Sequence, residues 1–86
     1  MEKTVKILND EGMHARPAGV FAKKAAEFKA DIKVKTTSAS KNGKSIMSLM
    51  SLGLKSGDSI VIETTGEDAE QALSALSALV ENKFQL

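Results

Sequence analysis

The residues best suited to chemistry lie together in one short stretch, Glu11 to Ala18, which reads EGMHARPA. It contains the only histidine, the only arginine and the only proline of the 86-residue chain: His14, Arg16 and Pro17. Proline suits the first turn of a helix, where its missing N–H is not needed, and it disfavours helical geometry in the residue before it. The sequence therefore predicts a helix that begins at Pro17, with Arg16 at or just before the boundary and His14 immediately ahead of it.

This placement makes His14 a candidate nucleophile beside an anion site. The free N–H groups and the positive end of the dipole at a helix N-terminus attract anions. The guanidinium of Arg16 can bind a phosphate through paired hydrogen bonds, and a neutral imidazole is nucleophilic near pH 7. A lone histidine is usually an incidental surface residue, so it is these neighbours that favour covalent handling of a phosphate by His14.

A second stretch, residues 44–53, reads Lys-Ser-Ile-Met-Ser-Leu-Met-Ser-Leu-Gly and has apolar residues at helical spacing. Ser45 suits the N-cap of a short helix, and Gly53 suits its C-terminal end. Ile46, Leu49 and Met50 form an apolar stripe, on which Met50 is expected to face the core. Met47 lies off that stripe, and an exposed methionine suits an adaptable docking surface.

Composition narrows the class of protein. Twelve basic and eleven acidic residues give a formal charge of +1, which argues against a nucleic-acid coat or a polybasic membrane anchor. The chain has no cysteine and a single histidine, so disulfides, thiolate catalysis and cysteine-type zinc sites are excluded, and neither a metal nor a cofactor is expected. No stretch approaches the roughly 20 apolar residues of a membrane span. We expect one soluble, cytoplasmic domain over residues 1–86.

Hydrophobic periodicity predicts alternating strands and helices. Strands are predicted at residues 2–8, 31–36 and 59–65, with a possible short edge strand within 37–44; helices are predicted at 17–28, at 45–53 and from Asp68 almost to the end. Asp68 and Gln71 resemble a capping box at the start of the last helix. Each strand and each long helix has one apolar face, which favours an α+β domain of two layers, a sheet covered by helices on one side.

The two stretches, their separation and the chain length together resemble the HPr family, the histidine-containing phosphocarriers of the bacterial phosphoenolpyruvate:sugar phosphotransferase system. The resemblance covers essentially the whole chain. It implies an open-faced β-sandwich, with a four-stranded antiparallel sheet and three helices on one face in the order βαββαβα.

The same resemblance implies roles for individual residues. His14 is expected to accept the phosphoryl group on Nδ1, and Arg16 and the backbone N–H groups of Ala15 and Arg16 are expected to hold it. Ser45 matches a serine that an ATP-dependent HPr kinase phosphorylates in many relatives. The expected docking residues are Pro17, Val20, Met47, Leu49 and Met50. Relatives differ at two places: their Asn-Gly turn lies between the second and third strands, whereas Asn42-Gly43 directly precedes Lys44, and many carry glycine where this chain has Ser48.

The expected function is that of a stoichiometric carrier, not an enzyme, and of a monomer. Its partners would be enzyme I as donor and a sugar-specific enzyme IIA as acceptor, with HPr kinase/phosphorylase and a catabolite-control transcription factor as further partners. Three alternatives remain at this stage: a regulatory module acting through Ser45, a nitrogen-branch paralogue charged by a different enzyme I, and a small RNA-binding domain. The charge balance and the absence of tryptophan and tyrosine disfavour the last.

Overall fold

A computed structural model of the chain describes residues 1–85. Its elements follow the predicted order, and their bounds are β1 (Glu2–Lys6), α1 (Ala15–Ala25), β2 (Asp31–Lys35), β3 (Ser40–Asn42), α2 (Ile46–Met50), β4 (Ser59–Thr65) and α3 (Ala69–Glu81). The predicted fold class, an α+β domain with a four-stranded antiparallel sheet and three helices, is confirmed.

The four strands form one antiparallel sheet in the order β1-β4-β2-β3. Val5 of β1 lies opposite Ile60 of β4, and Ile62 of β4 lies opposite Val34 of β2. Alternate residues along a strand point to opposite faces, and these four side chains are all buried. One face of the sheet is therefore apolar, and the register is fixed by the need to bury it.

The helices cover that apolar face. Helix α1 contributes Ala18, Phe21, Ala22 and Ala25 to the core, while Phe28 beyond its end is half-buried. The other face of the sheet is polar and has no helix on it; there Lys35 of β2 donates to Glu63 of β4 at 2.6 Å. The sheet and helices thus form the two predicted layers.

The bounds of all three helices differ from the prediction, and α2 is limited to Ile46–Met50 of the predicted residues 45–53. Helix α1 begins at Ala15 and not at Pro17, so Arg16 lies within its first turn, and it ends at Ala25. Pro17 still falls in the first turn, where a missing N–H leaves no hydrogen bond unmade. Helix α3 ends at Glu81, and the next residues turn sharply through positive φ angles at Lys83 and Phe84. This turn returns the Phe84 side chain to the core.

The predicted capping box at Asp68 is wrong. Asp68 precedes α3, but its side chain makes no capping hydrogen bond to that helix. Its carboxylate instead accepts from the backbone N–H groups of Lys29, at 2.9 Å, and Ala30, at 2.8 Å. These two donors lie between α1 and β2, so Asp68 joins two loops that are far apart in the chain.

Among residues 1–85, no helix combines the length and the apolar character that crossing a bilayer requires.

Candidate functional site

His14 is the N-cap residue of α1, as its predicted position ahead of the helix requires. Its backbone is extended (φ −82°, ψ −174°), and its carbonyl accepts from the N–H of Ala18 at 2.9 Å, closing the first turn. Its side chain makes no capping bond and is exposed. The imidazole is therefore held at a fixed point of the backbone while its nitrogens remain open to a visiting group.

The residues just before His14 anchor it to the segment that follows α2. Met13 is buried, and its N–H donates to the carbonyl of Leu54 at 3.1 Å. Gly12 has φ +65°, and a Cβ built on it would lie 2.4 Å from the same carbonyl oxygen. Glycine is therefore needed at position 12 for the close approach that fixes the backbone of His14.

The first turn of α1 offers two backbone donors beside His14. Pro17 has no N–H, and the N–H of Ala18 is already bonded to His14. The N–H groups of Ala15 and Arg16 remain, and among residues 1–85 neither has an acceptor. Unpaired N–H groups and the helix dipole at this end favour an anion.

The guanidinium of Arg16 lies in an ion pair with Glu11. Its Nη2 donates to Glu11 Oε1 at 2.8 Å, and the side chains are 54% and 47% exposed. An exposed pair of this kind contributes little to stability. Arg16 lies two residues from His14 in the chain. Its guanidinium binds the Glu11 carboxylate, which another anion can displace.

Glu11 and Asn9 are parts of this site that the sequence analysis did not single out. Asn9 is buried, and its Nδ2 donates to the carbonyl of Gly12 at 2.8 Å and to Glu11 Oε1 at 3.3 Å. The hydrogen bonds from Arg16 and then Asn9 hold the pKa of Glu11 below its ordinary value of 4.5. The ion pair could have been predicted from the opposite charges of Glu11 and Arg16, which lie five residues apart on either side of His14. No local sequence pattern indicates that Asn9 is buried.

Ser45 is the N-cap of α2, as predicted. Its Oγ accepts from the N–H of Ser48 at 3.2 Å, and the residue is half-buried. Ser48 thus takes part in the cap through its backbone N–H, which every residue except proline would supply at that position.

The approach to Ser45 is ordered although Asn42-Gly43 lies immediately before Lys44. Strand β3 ends at Asn42, whose Oδ1 accepts from the N–H of Lys44 at 2.9 Å. Gly43 continues the pairing by donating to the carbonyl of Ile32 at 2.8 Å, and Lys44 Nζ donates to the carbonyl of Phe28 at 2.8 Å. Asn42 is therefore the last residue of the predicted short edge strand, and Gly43 begins the turn into α2.

The five expected docking residues fall into two groups. Met47 is 79% exposed, Met50 is 42% exposed and Val20 is half-buried. Leu49 and Pro17 are fully buried, so their expected role as contact residues is corrected: neither presents side-chain surface to a partner. The expectation that Met50 faces the core is also wrong, since in a helix of five residues only Leu49 points inward.

The exposed apolar side chains of α2 form a patch next to His14. We call it the α2 patch; it consists of Ile46, Met47 and Met50. Met50 lines the same shallow depression as His14, and Ile46 lies against α1 near Gly19. Contiguous exposed apolar side chains are typical of interaction surfaces. His14 and this exposed apolar patch thus lie side by side.

Within residues 1–85, no group of three or more histidine, cysteine, aspartate or glutamate side chains is placed to hold a metal ion. Arg16 and the N-terminus of α1 are the positive groups nearest to His14 along the chain.

Comparison with known proteins agrees with this geometry. Residues 1–82 match the family model of the PTS HPr component phosphorylation site. The HPr phosphocarrier protein of Mycoplasma genitalium is 42% identical over 83 residues, which are 94% of each chain. The HPr-like protein Crh of Halalkalibacterium halodurans is 39% identical, over 96% of this chain and 99% of its own.

A solved structure supports the same relationship. The crystal structure of HPr-C-His from Thermoanaerobacter tengcongensis superposes with a TM-score of 0.94 at 41% sequence identity, over 100% of this chain and 99% of that one. Sequence, fold and the family model therefore agree over nearly the whole chain, and it belongs to the HPr family of the phosphotransferase system.

Proposed function

We propose that this protein is a stoichiometric phosphoryl carrier, which accepts a phosphoryl group from enzyme I on His14 and passes it to a histidine of a sugar-specific enzyme IIA. The observation that carries the proposal is the position of His14: the only histidine of the chain is exposed at the N-terminus of α1, beside two unpaired N–H groups. Membership of the HPr family supports it.

The transfer is a displacement at phosphorus. The lone pair of His14 Nδ1 forms a bond to the phosphorus of the donor, and the donor's P–N bond breaks, with its electron pair returning to the donor imidazole. Onward transfer reverses these roles, with His14 as the leaving group. No water takes part, so the phosphoryl group is conserved, and the carrier leaves each cycle unchanged.

Charge stabilisation comes from α1. The N–H groups of Ala15 and Arg16 donate to the oxygens of the phosphoryl group on His14, and the guanidinium of Arg16 supplies a planar pair of donors. Arg16→Lys keeps the charge but loses the paired geometry, so we expect slower transfer. Equal rates for that variant and the wild type would count against the assignment of Arg16.

The partners dock on the α2 patch and the adjoining surface of α1. Donor and acceptor must occupy this surface in turn, which favours moderate affinity and rapid dissociation. His14 then forms half of an active site that each partner completes, in keeping with a carrier located in the cytoplasm beside its enzymes.

The central test is phosphorylation from phosphoenolpyruvate. The protein is incubated with phosphoenolpyruvate, magnesium and enzyme I, and acid-labile phosphate is measured by intact mass before and after mild acid. One phosphate per chain is expected on the wild type and none on His14→Ala. Undiminished label on His14→Ala would refute the proposal.

A regulatory role for Ser45 is the second candidate, favoured by its place as the cap of the helix that carries the α2 patch. A phosphate there lies at a helix N-terminus, so the fold should tolerate it, while the added charge of about −1.5 to −2 acts on partners at the patch. An HPr kinase with ATP should add one acid-stable phosphate to the wild type. Failure to modify Ser45 would exclude this role. The presence of His14 favours carrier over purely regulatory function.

A further inference from the structure

Glu11 is held in a defined position rather than free in solvent. Its Oε1 accepts from Arg16 Nη2 at 2.8 Å and from Asn9 Nδ2 at 3.3 Å. Asn9 is 4% exposed, and the same Nδ2 donates to the carbonyl of Gly12 at 2.8 Å. Reversing the Asn9 amide would place its oxygen against two acceptors, so these contacts also fix the amide's orientation.

Two anionic groups therefore compete for the guanidinium of Arg16 during the proposed carrier cycle. Before phosphorylation its guanidinium binds the Glu11 carboxylate. After phosphorylation a dianionic group is attached to His14, two residues away in the chain, and attracts the same guanidinium.

We propose that Glu11 is a positioning residue that competes with the phosphoryl group for Arg16 and thereby raises the tendency of phosphorylated His14 to give up its phosphate. The inference rests on the proposed carrier function. A carrier that bound its phosphoryl group too firmly would accept it well but transfer it poorly. Competition from Glu11 lowers the stabilisation of the charged form without removing the arginine that assists transfer.

The prediction concerns an equilibrium. With enzyme I and a fixed ratio of phosphoenolpyruvate to pyruvate, Glu11→Gln should increase the ratio of phosphorylated to free carrier by about two- to fivefold, the range that an exposed ion pair is worth. Hydrolysis of the isolated phosphoprotein should slow in the same direction. Both effects should shrink as ionic strength rises, because the groups are exposed.

Asp10→Asn is the matched control. Asp10 is the neighbouring exposed carboxylate and lines the same depression as Arg16, but it makes no ion pair with it among residues 1–85. A general effect of lost negative charge would appear in both variants, whereas competition for Arg16 appears only in Glu11→Gln. Thermal unfolding of each variant checks that the fold is kept.

A double-mutant comparison tests the route through Arg16. If Glu11 acts through the guanidinium, Glu11→Gln should have no effect on the equilibrium in an Arg16→Ala background. In the wild type, the side-chain NH resonances of Arg16 should shift on phosphorylation as it changes partner. An unchanged ratio in Glu11→Gln, an equal change in Asp10→Asn, or an effect that persists without Arg16 would overturn the inference. A wild type that takes no phosphate on His14 would instead refute the carrier function itself.

Discussion

At the residue scale, the position of His14 depends on neighbouring residues that have no reactive group themselves. Met13 points into the core while His14 points out, and the N–H of Met13 donates to the carbonyl of Leu54. Gly12 lets the two segments approach this closely. The candidate reactive residues are predictable from the sequence because they lie within a few residues of one another, but the contact with Leu54, about 40 residues further along, has no local signature.

Gly12→Ala should destabilise the protein through both its backbone and its contact. A non-glycine residue at φ +65° costs about 1–3 kcal/mol, and the added methyl would also lie 2.4 Å from Leu54 O, which requires the backbone to move. Gly53→Ala is the control, because Gly53 has nearly the same φ, +61°, with nothing within 4 Å of its Cβ position. Urea unfolding should show a larger loss for Gly12→Ala. Equal losses would mean that the contact with Leu54 adds nothing.

At the scale of elements, hydrophobic periodicity predicts the long helices and three strands well because their apolar stripes repeat. It fails for α2, where five residues make little more than one turn and the stripe Ile46, Leu49, Met50 has only Leu49 buried. It also fails at Asp68. The spacing of Asp68 and Gln71 indicates a local helix cap, but the N–H groups that donate to Asp68 are 38 and 39 residues away in the chain.

Asp68 should make stability depend on pH. Hydrogen bonds from the N–H of Lys29, and also from that of Ala30, lower its pKa from the ordinary 3.8, against an opposing effect of desolvation. A lowered folded-state pKa gives stability that is present above the unfolded value and is lost as the pH falls through the folded value. Asp68→Asn should therefore lower the melting temperature at pH 7, and the gap to wild type should close below about pH 4.

Glu67→Gln is the control for this prediction, since it removes the neighbouring exposed carboxylate. Hydrogen exchange at the Lys29 and Ala30 amides should accelerate in Asp68→Asn and stay unchanged in Glu67→Gln. A gap between Asp68→Asn and wild type that stays constant from pH 7 to pH 3 would contradict the assigned role.

At the scale of the whole molecule, the fold gives its two faces different surfaces. The outer face of the sheet is polar, whereas α1 and α2 place His14 beside the α2 patch. The two proposed phosphorylation positions are the N-cap residues of these helices, His14 for α1 and Ser45 for α2. A partner that covers His14 is therefore expected to contact the helix that Ser45 begins, which couples the two positions without any change of fold.

The contribution of the α2 patch can be measured by truncating its most exposed side chain. Met47 contributes little to the stability of the fold, since 79% of its surface is exposed. Met47→Ala should leave thermal unfolding unchanged and lower kcat/KM for phosphorylation by enzyme I about five- to thirtyfold, the equivalent of about 1–2 kcal/mol for an interface side chain. Leu8→Ala is the matched control, because Leu8 is a 43% exposed apolar residue outside the patch. If both variants transfer phosphate as fast as the wild type, the α2 patch does not contribute to docking, and the surface of α1 must provide the contact.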